Sequence, residues 1–106
     1  MMEFFFKPKS VAVIGASSKP GKLGYVCLKN IINCDFSGDI YPVNPKAEEV
    51  QGIPAYHSLA EVPGEVDLAV FLISAKFAVK TMEVCAQKGV KAVIIQSMGF
   101  KEVGGE

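Results

Sequence analysis

Tryptophan is absent from these 106 residues, histidine occurs once, and eleven basic residues balance eleven acidic ones. The zero net charge excludes a nucleic-acid binder driven by bulk electrostatics, which needs a surplus of cations to release counterions. A small anionic ligand stays open, because it needs only local positive groups. No apolar run approaches the ~20 residues that span a bilayer. Phe4-Phe5-Phe6 is too short for a signal-peptide core, and no small-residue cleavage site follows it. The chain is therefore expected in the cytoplasm, away from membranes. Cysteine is scarce and odd in number. Cys27, Cys34 and Cys85 share no metal-binding spacing and read as reduced thiols in or near the core. No Ser/His/Asp set or carboxylate pair stands out for catalysis.

A further absence is the dinucleotide fingerprint G-x-G-x-x-G. Ala16 and Ser17 follow Gly15, and the glycines fall at 15, 21 and 24. What stands there instead organises the chain. Val11 to Ile14 is a short, β-branched apolar run, the pattern of a strand buried on both faces. Gly15 ends it. Serines, lysines and a proline follow, and an amphipathic pattern starts at Leu23. Strand, small-residue turn and helix together make a phosphate site: the backbone approaches the anion closely, and the helix start offers N–H groups and a positive dipole end.

The rest of the chain repeats that alternation. Residues 22–33 predict a helix with Leu23, Cys27 and Ile31 on one stripe and Leu28 and Ile32 beside it. Asp39 to Val43 predicts a second strand, ending at Asn44-Pro45-Lys46. Ile53 to His57 predicts a short edge strand, and Ser58 is placed to cap a helical turn through Val62. Asp67 to Ile73 is a second buried strand, with Asp67 tidying the turn at its start. Residues 76–88 predict a helix with Val79, Met82, Cys85 and Ala86 inward and Gly89 as its left-handed stop. Lys91 to Ile95 is the last strand. Met1 to Lys9 is a lead-in whose Phe4, Phe5 and Phe6 pack on the domain or on a neighbour, so a homo-oligomer is an open expectation. The fold expected is α/β: a Rossmann-like, doubly wound parallel sheet in three αβα layers, strand order 3-2-1-4-5. Residues 1–106 form one domain, expected to be a shortened piece of a longer chain. The loops 15–22, 74–77 and 96–100 should converge at the switch point, flanked by 44–46.

An NAD site places an acid at the end of the second strand, to hold the ribose 2′-hydroxyl. This chain has Lys46 there, which suits a phosphate on the ribose: coenzyme A or NADP. Glu48 and Glu49 follow a turn later and could take the acid's place.

Five segments, in order, carry a resemblance: Val13-Ile14-Gly15-Ala16-Ser17, Pro20-Gly21-Lys22-Leu23-Gly24, Tyr41-Pro42-Val43-Asn44-Pro45-Lys46, Val66-Asp67-Leu68-Ala69-Val70 and Gly99-Phe100-Lys101-Glu102. Together they resemble the CoA-binding domain of ADP-forming acyl-CoA (acetyl-CoA) synthetases, related to the amino-terminal domain of the succinyl-CoA synthetase α-subunit. The resemblance spans nearly the whole chain. It implies that Gly15, Ala16, Ser17 and the loop to Gly21 and Leu23 bind the diphosphate, with Lys19 and Lys22 as phosphate partners. It implies Val43, Asn44, Pro45 and Lys46 on the adenosine side, Lys46 towards the 3′-phosphate. Ile73, Ser74 and Ala75 would lie under the adenine or the pantetheine, and Gln96, Ser97 and Gly99 along the pantetheine arm. The resemblance assigns no catalytic residue and no metal here. Phosphoryl transfer in that family uses a histidine on another domain, and His57 lies in the edge segment. The partners implied are CoA and the other domains or subunits of a ligase. Two further readings stay open: an NADP-binding oxidoreductase domain, and a CoA-sensing regulatory domain of an acetyltransferase.

Overall fold

The computed structural model describes residues 8–34, 36–73 and 75–96. Its centre is β1 (Ser10–Ile14), buried at all five positions. Strand β2 (Asp39–Val43) lies on one side of it, and β5 (Leu68–Phe71) on the other, with β6 (Ala92–Ile95) beyond; all pairings are parallel. The register sets Ile14 beside Val43 and Phe71, so three strands reach their carboxyl ends together. Helix α1 (Leu23–Asn33) and helix α2 (Ala75–Lys88) cover opposite faces. Alternation along β1 explains how one apolar run serves both. Val11 and Val13 join Leu28 of α1, while Ala12 and Ile14 join Ala78 and Cys85 of α2. No helix of the described residues is long and apolar enough to cross a membrane.

Helix α1 lies as its periodicity requires, with Leu28 buried and Cys27, Ile31 and Ile32 half-buried, though Leu23 is exposed. Gly89 ends α2 at φ 81°, as expected, and donates to the Cys85 carbonyl at 2.9 Å. Helix α2 itself is turned about one residue from expectation. Cys85 is buried, but Val79 is 69% exposed, and Met82 and Ala86 also face outward. The buried stripe is Ala78 and Cys85, with Thr81, Val84 and Lys88 half-buried. Small side chains at 78, 81 and 85 let the helix approach Phe71, which is fully buried beneath it. Lys88 fixes the rotation by donating from Nζ to the Val62 carbonyl.

The edge segment also departs from expectation. Strands β3 (Glu49–Val50) and β4 (Ile53–Pro54) pair antiparallel as a separate hairpin. The main sheet thus has four strands, β2-β1-β5-β6, and the expected fifth is reduced to one parallel bridge between Val43 and Tyr56. Pro42 is the physical reason. It turns its carbonyl to Tyr56, and on that same edge it has no N–H to extend a ladder. A 3-10 turn follows at Leu59–Glu61, and Ser58 precedes it without a side-chain capping bond.

The amino end of the sheet is tied off by polar groups. Ser10 Oγ donates to the Glu65 carbonyl (2.7 Å) and accepts from the Asp67 N–H (2.9 Å). Asp67 Oδ2 accepts from the Lys9 N–H at 2.9 Å. Both side chains are buried, and the clamp satisfies them.

Candidate functional site

At the opposite end, β1 runs into Gly15, whose φ of 99° favours glycine. A Cβ there would also stand 2.5 Å from the Leu72 carbonyl oxygen, so the turn has no room for a side chain. Gly15 donates to the Val43 carbonyl (3.0 Å), and Leu72 donates to that of Ile14 (2.8 Å). Gly24 brings α1 onto this turn: its Cβ would collide with the Gly15 carbonyl oxygen. The helix therefore begins directly over the end of the central strand.

The loop between them is wound by its own polar groups. Ser17 Oγ accepts from the Lys19 N–H (3.0 Å), and Lys22 donates to the Lys19 carbonyl. Lys22 precedes α1 in an extended conformation, with no side-chain bond capping the first turn and no acid in it. The positive end of the helix is thus presented to whatever enters the loop. A cavity of about 550 Å³ lies there, lined by Gly15 to Lys19, Lys22 to Gly24, Asn44, Lys46, Ala47, Val50 and Leu72. Lys19, Lys22 and Lys46 all reach it, and none of the described residues lining it is acidic.

Asn44 joins the loop to the end of β2. Its Nδ2 donates to the Ala16 carbonyl (2.9 Å), and its Oδ1 accepts from the Lys46 N–H (2.8 Å). Asn44 thus spends its amide on geometry and sets where Lys46 stands. A second cavity, of about 420 Å³, opens on the α2 side of Gly15. Its walls are mainly apolar: Ile14, Val43, Pro45, Ile73, Phe77 and Val84, with Leu59, His57, Ser58 and Thr81 completing them. Gly15 lines both cavities. A polar, cationic half and an apolar half therefore meet at the switch point between β1 and β5.

Most residues expected in the site fall into these halves. Gly15, Ala16, Ser17, Lys19, Lys22, Leu23, Asn44 and Lys46 line the polar half, and Val43, Pro45 and Ile73 the apolar one. Gly21 lines neither; at φ 94° in open space it turns the loop. Ala75 opens α2. Ser74, Ser97 and Gly99 lie outside the described residues. Gln96 lines neither half and borders a third cavity of about 930 Å³, between α1 and the β5–β6 side of the sheet. That cavity is larger, but it lies along the strands and lacks the glycine turn, so its size does not make it the site. The sequence reading missed Phe77, Leu72, Ala47, Val50 and His57 as lining residues. Phe77 carried a signal in its place at the end of the 74–77 segment expected at the switch point, and it stands in the first turn of α2.

Burial raises the thiols of Cys27 and Cys85 above their ordinary values, which makes them poor nucleophiles. Among the described residues no group of His, Cys, Asp and Glu could hold a metal ion.

Comparison with known proteins gives this geometry a context. The profile of a family described as "CoA binding domain" matches residues 9–103. The α-subunit of the ADP-forming acetate–CoA ligase II of Pyrococcus furiosus is 50% identical over 106 residues, which is 100% of this chain and 23% of that subunit. A trans-feruloyl-CoA synthase from an unknown prokaryotic organism is 51% identical over 100 residues, 94% of this chain and 14% of that enzyme. Among solved structures, the dinucleotide-forming acetyl-coenzyme A synthetase 1 of Ca. Korarchaeum cryptofilum, in complex with phosphate and ADP, superposes with a TM-score of 0.90 at 38% identity. That match covers 100% of this chain and 23% of that one. The chain spans about a quarter or less of the length of these relatives.

Proposed function

Because the chain belongs to the CoA-binding domain family, we propose that it holds coenzyme A across the two halves of this site, as the CoA-binding module of an ADP-forming acyl-CoA synthetase. The observation that carries the proposal is the meeting of a cationic, loop-lined cavity and an apolar cavity at Gly15. The diphosphate occupies the loop between Gly15 and Lys22, against the start of α1. Lys46 faces the 3′-phosphate, and the adenine lies on Val43, Pro45 and Ile73. The pantetheine arm then follows the carboxyl ends of β5 and β6, where Ser74, Gln96, Ser97 and Gly99 come next in sequence.

In this reading the chain makes no bond itself. It orients CoA so that the thiol can attack the carbonyl of an acyl phosphate formed on another domain or subunit, with phosphate as the leaving group. Its contribution is position, which removes translational and rotational freedom from the reacting thiol. An acetate–CoA ligase subunit and a trans-feruloyl-CoA synthase both match this module at about 50% identity; in this reading the module serves CoA and leaves the acyl group to other domains or subunits. Such a module works in the cytoplasm, whose reducing conditions suit the three free cysteines. The family match favours CoA over NADP.

Calorimetric titration with CoA, dephospho-CoA and NADP tests the proposal. CoA should bind more tightly than dephospho-CoA, and Lys46→Ala should erase the difference. Binding of NADP without CoA would overturn it.

A further inference from the structure

The hairpin that left the main sheet has a contact with the phosphate loop that its own pairing does not require. Its two-residue turn is Gln51-Gly52, with φ of 53° and 85°. Such a turn favours Asn, Asp or Gly at its first position, and glutamine there is the one described non-glycine residue with positive φ. The Gln51 side chain shows what the strained position achieves. Its Nε2 donates to the Ser17 carbonyl and to the Tyr25 carbonyl, each at 3.1 Å. Its backbone N–H donates to Ser18 Oγ at 3.2 Å. Ser17 lies near the beginning of the loop and Tyr25 in the first turn of α1. Both amide hydrogens are used, one at each end of the loop. Val50, the residue before, lines the same cavity and is buried.

We propose that Gln51 is a positioning residue for the anion site: it straps the two ends of the phosphate loop together and holds the loop in the shape that receives a diphosphate. The inference rests on the CoA reading above and names a residue that the reading does not include. Without the strap, the loop must be ordered by the ligand, and that ordering is subtracted from affinity.

Gln51→Gly is the discriminating variant. Glycine relieves the positive φ and keeps the turn, so the hairpin survives while the amide is lost. The expected result is an unchanged or raised melting temperature, faster amide hydrogen exchange across residues 17–25, and CoA affinity reduced about tenfold. Gln51→Glu should weaken CoA binding further, because it sets an acceptor against two carbonyls and adds a negative charge beside the site. If wild type binds CoA and Gln51→Gly binds it equally well, the strap is overturned and the CoA reading stands. Unchanged exchange in the variant also overturns it. If the wild type binds no CoA, the CoA reading fails and the positioning role falls with it.

Discussion

The two ends of the central strand make opposite use of polar groups. At the amino end, Ser10 and Asp67 are buried and spend their hydrogen-bonding capacity on Lys9, Glu65 and each other. At the carboxyl end, Gly15 and Gly24 bring bare backbone together, and the start of α1 carries no side-chain cap. One end is closed by internal partners. The other presents a helix start and three lysines to a cavity. Polar groups satisfied within the chain stabilise the fold, whereas those directed at a cavity are available to a ligand.

Substitutions at the two ends should therefore separate stability from binding. The largest effect is expected from Gly24→Val, which drives a branched side chain into the Gly15 carbonyl. It should destabilise the fold by about 3 kcal/mol or more and abolish CoA binding, read by denaturant unfolding and titration. Asp67→Ala should cost about 2 kcal/mol of stability by leaving the Lys9 N–H without its carboxylate, yet leave CoA affinity unchanged once the chain is folded. A parallel loss of affinity would break the separation of the ends. Lys46→Ala should do the reverse: affinity for CoA falls about fivefold, or ~1 kcal/mol for an exposed cation, with the unfolding midpoint unmoved. The smallest effect concerns the thiols. Cys34 is exposed and should be alkylated first, while Cys27 and Cys85, raised by burial, should react slowly at neutral pH and faster as pH climbs above 9. Mass spectrometry of timed samples reads that order.

Much of this was legible in the chain. Val11 to Ile14 and Leu68 to Phe71 are apolar without interruption because each strand has a helix or a loop on both faces. The glycines at 15, 21 and 24 marked the loop, since positive φ and close backbone approach leave few alternatives. The rotation of α2 was not legible. Hydropathy favours Val79 and Met82 over Ala78 and Thr81, but the available space beneath the helix is set by Phe71, from a different strand. Nor was the role of Asn44, whose amide serves both Ala16, 28 residues away, and Lys46.

The amino-acid sequence by itself determined the alternation of strands and helices, the glycine turn and the presence of lysines near it, because periodicity and backbone sterics act between near neighbours. Tertiary structure alone decided that Pro42 would leave the edge strand a single bridge, that two cavities would meet at Gly15, and that Gln51 would reach the loop from a hairpin. Those outcomes depend on which surfaces come together in space. The contacts that settle them join residues far apart in the chain.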